Sequence, residues 1–338
     1  MIAVVCLNPA LDVTHNVPAV DWAGVNRPSA VHARPGGKGL NVARTLHALG
    51  VDVLVLGLAG GITGSGVAAA LGGVGVPAAF TAVAGETRRT FTVVDGRGRG
   101  TAMFSEPGPE VTAAEFGEFR ARYQGALETG SAAVALSGSL PPGLPAGTYA
   151  TLIEMATAAG VPAVLDAHGE ALRRGAAAGP AIVKPNLAEL EALSGRRLST
   201  GRGADRDAVA AAAGQLREAG PQAVVATLGA EGLLAATGDG RWQARPPAVV
   251  AGNATGAGDA VAAALVHGLV LGRPWDERLR HAVALGTAAA AAPAAGEFRH
   301  ADYASALPQV TVRQVTVRQV TVRQVMAHQA AAHREGVR

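Results

Sequence analysis

The sequence predicts a three-layer α/β/α fold built on a mostly parallel central sheet, with a small β-sheet lid above it. Three observations carry this reading. Short, nearly unbroken valine- and alanine-rich runs recur along the chain and alternate with segments of helical spacing; strands covered on both faces by crossover helices read this way. At 338 residues, with 49% apolar side chains but only 4% aromatic ones, the chain can bury a large core made of Ala, Val and Leu. Two stretches, 12–35 and 88–106, break the rhythm with alternating Thr, Val and charged residues and turn signals such as Asp95-Gly96. They read as antiparallel strands, either a lid over the sheet or an ordinary pair of surface hairpins.

Taken in order, the first run, Ile2–Leu7, has no basic residues before it and is cut short by Asn8-Pro9, so it reads as a strand and not a signal peptide. Further strands are expected at 53–58, 78–83, 131–136, 162–166, 180–183, 222–226 and 232–236. Helices are expected at 39–49, 64–72, 112–127, 146–159, 187–194, 205–218, 257–271 and 276–291. The 45 glycines imply many tight turns between these short elements. At this length one large α/β domain, or one plus a small lid, is expected ahead of residue 308. The remainder, 308–338, is a tail in which Gln309-Val310-Thr311-Val312-Arg313 recurs at 314–318 and 319–323. A period of five turns the valines to the opposite face of a strand at each copy and smears them around a helix. At most one copy is therefore expected to dock.

Bulk properties narrow the function. The net charge is +3, and the arginines are scattered with no basic block, which argues against a nucleic-acid partner. Cys6 is the only cysteine; it can form no internal disulfide and no metal cluster, which suits a cytoplasmic protein. The apolar stretch 288–295 is short and broken by Pro293, so no membrane span is expected.

Of the 29 basic residues only Lys38 and Lys184 are lysines. A composition that uses arginine nearly everywhere keeps lysine where a compact charge on a flexible stem is needed, or else by chance survival of two surface residues. Lys38 lies in Gly36-Gly37-Lys38-Gly39 and Lys184 in Lys184-Pro185-Asn186; both suit a place where a small anion such as phosphate is held. Gly252-Asn253-Ala254-Thr255-Gly256-Ala257-Gly258-Asp259 leads into an apolar helix. Small residues there let backbone N–H groups converge on an anion at the helix start. Asp259 can then accept a proton from a hydroxyl that attacks a phosphoryl group, or it merely complements the helix dipole. Asp12, at the end of Asn8-Pro9-Ala10-Leu11-Asp12, would stand at the carboxyl edge of the sheet, where open α/β sheets bind ligands, or it is a turn residue. Arg88 could reach a substrate phosphate from the lid. Neither Gly-x4-Gly-Lys-Ser/Thr nor Gly-x-Gly-x-x-Gly occurs, so P-loop and Rossmann sites are absent.

Together, Gly36-Gly37-Lys38-Gly39-Leu40-Asn41-Val42-Ala43-Arg44 and Asn253-Ala254-Thr255-Gly256-Ala257-Gly258-Asp259-Ala260 resemble the two signatures of the PfkB (ribokinase-like) carbohydrate kinases. Ser137 to Gly143, Lys184 to Leu190 and Thr227 to Gly232 resemble further segments of that family in the right order. Asn8 to Asp12 resembles the opening of its 1-phosphofructokinase and tagatose-6-phosphate kinase branch, a branch that often has an asparagine where this chain has Thr90.

The resemblance implies a ribokinase-like fold with a lid closing over the sugar, and ATP with Mg²⁺ as cofactors. It implies that Asp259 is the base and that the N–H groups of Gly256, Ala257 and Gly258 form the anion hole. Asp12, Gly37, Lys38 and Asn41 would hold the sugar, helped by Arg88 and Ser137. Lys184 and Asn186 would approach the nucleotide phosphates, Glu189 would act on Mg²⁺ through water, and Thr227, Gly229, Gly232, Asn253 and Thr255 would line the nucleotide pocket. The implied reaction is transfer of the ATP γ-phosphoryl group to a phosphorylated ketohexose, with fructose 1-phosphate as first choice. Lys38 favours a phosphosugar, since a neutral hydroxyl gains little from an ammonium. Tagatose 6-phosphate, fructose 6-phosphate, a free sugar, or a non-catalytic sensor role are the alternatives. A lid strand pairing between subunits makes a homodimer an expectation.

Overall fold

The structure, a computed structural model, describes residues 1–98, 100–198, 206–247, 255–292 and 294–315. The chain opens with β1 (Ile2–Cys6), β2 (Ala10–Val17), β3 (Ala30–Gly36), α1 (Lys38–Ala48), β4 (Val53–Ala59), α2 (Gly61–Gly73) and β5 (Ala78–Ala82). It continues with β6 (Arg88–Asp95), β7 (Thr101–Ser105), α3 (Ala113–Glu128), β8 (Ala133–Ser137), α4 (Thr148–Ala158), β9 (Ala163–Asp166), α5 (Gly169–Ala177) and β10 (Ile182–Val183). The second half holds α6 (Leu187–Ser194), α7 (Arg206–Glu218), β11 (Ala223–Thr227), β12 (Leu233–Thr237), β13 (Gly240–Arg245), α8 (Ala257–Val270), α9 (Trp275–Ala290), α10 (His300–Ala306) and β14 (Thr311–Gln314).

Among the described residues ten strands form one sheet in the order β14-β13-β12-β11-β10-β9-β8-β1-β4-β5. Neighbours from β11 to β5 are parallel, and β12, β13 and β14 add antiparallel at one edge. The winding runs from β1 through β4 to β5, then restarts on the other side of β1 with β8. That reversal makes a crevice at the carboxyl ends of β1 and β8, where ligands of open α/β sheets bind. Period-two alternation builds both core faces. Ile2, Val4 and Cys6 join residues of α1, α8 and α9, while Ala3, Val5 and Leu7 join residues of α3 and α4. Small side chains replace the missing aromatics by letting helices approach: a Cβ on Gly286 would lie 2.9 Å from Val261 Cγ2 across the α8–α9 contact. No helix of the described residues is long and apolar enough to cross a membrane.

The lid is a separate four-stranded sheet, β3-β2-β6-β7. Its outer pairs are antiparallel, but β2 and β6 run parallel from Ala10↔Arg88 to Val17↔Asp95. This corrects the expectation of antiparallel strands throughout. Both strands leave the same carboxyl edge of the main sheet, β2 after β1 and β6 after β5, so they travel in the same direction.

The expected strands and helices are present with ends shifted by a few residues, α5, β13 and α10 are additional, and β14 is the one docking copy of the tail. In β14 the tail's first copy pairs with β13, with Ala244 opposite Val312 and Gln243 opposite Arg313. Val310 is buried, its carbonyl accepts from Arg280, and Arg313 donates to Gln243 Oε1 at 3.0 Å. Most of the second copy and all of the third lie outside the described residues.

Candidate active site

Two helix starts form the floor of the crevice. α1 begins after Gly37 at φ 93°, and α8 after Gly256 at φ 89°; no side chain caps either one. Such backbone suits glycine, and the first-turn N–H groups lack side-chain acceptors. α8 begins with Ala257, Gly258 and Asp259, so a carboxylate stands where a cap would form. It bonds elsewhere: Asn41 Nδ2, in the first turns of α1, donates to Asp259 Oδ2 at 2.8 Å. Both residues are buried. Burial and the neighbouring Asp166 charge push the Asp259 carboxyl up to about 7, while Asn41, Lys38 and Lys184 pull it down. A carboxylate with that affinity for a proton is matched to accepting one near neutral pH. The N–H groups of Gly256, Ala257 and Gly258 lie at the start of the same helix, aligned with its dipole.

The chain's two lysines meet at one residue. Asp166, at the carboxyl end of β9, is 1% exposed in its side chain; its Oδ1 is 2.9 Å from Lys38 Nζ and its Oδ2 is 3.0 Å from Lys184 Nζ. Burial would raise the Asp166 carboxyl, but the two ammonium groups outweigh it and hold it below the ordinary range. Burial likewise opposes the Lys38 charge, yet Asp166 and Glu189 keep its pKa above that of ordinary lysine. Lys184 Nζ lies 3.6 Å from where a Cβ on Gly258 would be, which puts its charge beside the first turn of α8.

A cleft of about 710 Å³ opens beside Lys38, walled by Asn8, Arg88, Ser105, Ser139 and His168. Arg88 is fixed by neutral groups: Nε donates to the Asn8 carbonyl at 3.2 Å, and Nη1 donates to Ser105 Oγ at 2.7 Å. Among the described residues it makes no ion pair, so its charge is available to an anion in the cleft. Asn8 is held by Nδ2 bonds to the Pro107 carbonyl and to Ser139 Oγ, each 3.0 Å. Asp12 lies against Gly36, where a Cβ would approach its Oδ2 to 1.9 Å. Burial raises its carboxyl while Thr90, Arg88 and the Gly37 N–H lower it. Ser137 is 1% exposed with its hydroxyl unpaired; Ser139, two residues on, is the serine on the cleft wall.

On the other side of Lys38, Asn186 and Glu189 cap α6 for each other. Glu189 N–H donates to Asn186 Oδ1 at 2.8 Å, and Asn186 N–H donates to Glu189 Oε2 at 2.7 Å. Asn186 is bridged to Thr227, whose N–H donates to the Pro185 carbonyl. Gly229 and Gly232 follow at φ 57° and 87°, and Thr255 precedes Gly256. Asn253 lies outside the described residues. Among the described residues no group of three His, Cys, Asp or Glu side chains could enclose a metal. Glu189 Oε1, 3.9 Å from Lys38 Nζ, is a single hard donor. That set fits a magnesium ion held through its waters and through substrate phosphates.

Sequence reasoning passed over Asp166, Ser105, Ser139 and Glu297. Asp166 closes an apolar strand run at the sheet's carboxyl edge, the position that drew attention to Asp12, and that was its available signal. Glu297 ties Arg34 of the lid to Arg44 of α1 at 3.0 Å, a contact visible only in three dimensions.

Residues 3–301 match the pfkB family carbohydrate kinases. The ATP-dependent 6-phosphofructokinase isozyme 2 of Mycobacterium tuberculosis is 37% identical over 288 residues, which span 85% of this chain and 81% of that protein. Phosphofructokinase-2 from Escherichia coli, solved in complex with potassium, superposes with a TM-score of 0.84 at 31% identity, covering 91% of this chain and 98% of the other. A Thermotoga maritima protein described as a possible 1-phosphofructokinase gives 0.81 at 27% identity, covering 94% of this chain and all of the other.

Proposed function

This chain belongs to the pfkB family of carbohydrate kinases, and from that premise we propose that it transfers the γ-phosphoryl group of ATP to a primary hydroxyl of a fructose phosphate. The carrying observation is the Asn41-held Asp259 carboxylate at the uncapped start of α8, with Lys184 beside it. Asp259 takes the proton of the attacking hydroxyl, and the N–H groups of Gly256, Ala257 and Gly258 stabilise the charge on the phosphoryl group in transfer. Arg88 and Lys38, facing the cleft, receive the acceptor's own phosphate; Asp12 orients its hydroxyls. Lys184 and the stretch through Asn186, Thr227, Gly229, Gly232, Asn253 and Thr255 serve the nucleotide. Glu189 would hold magnesium through water, and the ion would supply neutralisation of phosphate charge.

Fructose 6-phosphate is the acceptor we place first, ahead of the fructose 1-phosphate chosen from the sequence, because the relative at 37% identity is named a 6-phosphofructokinase. Fructose 1-phosphate stays as the second reading on the strength of Lys38 on the cleft wall and the Thermotoga likeness. Both acceptors lead to fructose 1,6-bisphosphate, and both present a phosphate at one end of the ring and a primary alcohol at the other. The test is ADP release with each acceptor at matched concentrations. The higher kcat/KM names the substrate, and no release with either one refutes the proposal. The lid leaves Val31, Met103 and Phe104 more than half exposed, which supports pairing of two copies through it; sedimentation as a monomer alone would refute that pairing.

A further inference from the structure

A composition with only two lysines makes their convergence informative. Lys38 and Lys184 are 146 residues apart in sequence, yet each Nζ lies within 3.0 Å of a different oxygen of the same carboxylate. That carboxylate sits 1% exposed at the end of β9, between α1, which carries Lys38, and the segment after β10, which carries Lys184. Lys38 turns toward the cleft with Arg88, and Lys184 toward Gly258 at the start of α8. Two ammonium groups in one crevice repel, and each flexible stem has many rotamers. A shared buried acceptor removes both problems.

We propose that Asp166 is a positioning residue for phosphoryl transfer, which fixes Lys38 on the acceptor side and Lys184 on the anion-hole side as one cationic pair. The proposal rests on the kinase reading for what the pair receives, namely anionic oxygens of the two phosphate-bearing substrates. The geometry of the pair itself does not depend on that reading. A planar arginine fork in either place would tend to take both oxygens of the carboxylate and leave none for the second cation. This accounts for the retention of lysine at these two positions in a chain that otherwise uses arginine. The charged groups facing the pair are Asp166 from β9, Glu189 from α6 and Asp259 from α8.

The test is a double-mutant cycle with a direct readout of the lysines. Kinetic constants are measured for wild type, Asp166→Asn, Lys38→Met and Asp166→Asn/Lys38→Met, with thermal melts alongside. Asp166→Asn is expected to lower kcat/KM by about a hundredfold, the scale of a small misplacement of reacting groups. Lys38→Met alone is expected to cost about tenfold or more, but only about twofold when added to Asp166→Asn, since the pair is already released. Losses that multiply independently would overturn the proposal, as would an Asp166→Asn enzyme with native constants.

The second readout needs neither activity nor a folded Asp166 variant. Lysine labelled with ¹³C at Cε gives only two lysine side-chain signals, assigned by loss of one in Lys38→Met. In wild type the Lys38 signal should stay at its charged position through about pH 11, above the ordinary lysine midpoint of about 10.4. A Lys38 that titrates at the ordinary midpoint refutes the ion pair. A wild type that phosphorylates no sugar phosphate while Lys38 stays charged refutes the kinase reading and leaves the pair standing.

Discussion

The starts of α1 and α8 are built alike and charged oppositely. Each follows a glycine near φ 90°, neither has a side-chain cap, and each packs a glycine of its first turns tightly: Gly39 against Cys6 of β1, and Gly256, just ahead of α8, against Ala295. The first residue of α1 is Lys38, and the third of α8 is Asp259. The helix dipole favours an anion at both, but the side chains divide the work. At α1 a cation reinforces the dipole and suits a bound phosphate. At α8 a buried carboxylate opposes any resident anion, which suits a place where negative charge arrives only during reaction while a proton leaves for Asp259. Asn41, on α1, reaches across to hold that carboxylate, so the two helix starts act as one unit. Anion sites of the same backbone design can thus be made for binding or for turnover by one side chain.

Breaking the α8 side should give the largest effect. Asp259→Ala is expected to reduce kcat by about a thousandfold or more with ATP binding retained; near-normal turnover would remove Asp259 from its role. With Asp259 as the proposed base, active only when ionised, kcat should fall as pH drops below about 7. Asn41→Ala removes a donor that favours the ionised form, so it should move that limb to higher pH and cost about tenfold in kcat at pH 7. A limb that stays in place would show that Asn41 does not set it.

Stability should respond with the opposite sign. Asp259 is raised from 3.8 to about 7 in the folded protein; its neutral form is the favoured one, and the penalty builds as pH rises from about 4 to about 7 and is complete above that. Asp259→Asn should therefore raise Tm at pH 8, by an amount corresponding to at most about 4 kcal/mol, and give no gain near pH 4. Equal melts at pH 8 would show that the buried carboxylate carries no such penalty. On the α1 side, Lys38→Arg should raise KM for the sugar phosphate by about tenfold despite keeping the charge. The smallest effect belongs to the tail. Ending the chain after Val315 should leave kcat and Tm unchanged, whereas ending it after Pro308 also removes buried Val310, worth about 2 kcal/mol.

Both helix starts were legible in the sequence because glycine clusters before apolar helices are local signals. The alternating strands and helices were legible for the same reason. What local pattern could not supply was partnership. Asp166 looks like any polar residue ending a strand until Lys38, 128 residues away, arrives beside it. Asn41 was read as a contact for sugar, and only the packing of α1 on α8 turns it toward Asp259. The parallel β2–β6 pair depended on where two distant strands leave the sheet, not on their alternation. β13 and α10 were missed because they are short and weakly patterned, as Gly-Arg-Trp-Gln-Ala-Arg and His-Ala-Asp-Tyr-Ala-Ser-Ala show.

The docked strand β14 has a consequence for how this gene can change. Its residues Gln-Val-Thr-Val-Arg occur three times in direct succession, so losing any one copy regenerates the same sequence after Pro308, and gaining one does too. Val310, Val312 and Arg313 would be replaced by identical side chains at identical places beside Gln243 and Ala244. Loss or gain of a copy is therefore silent at the sheet edge until the last copy is gone.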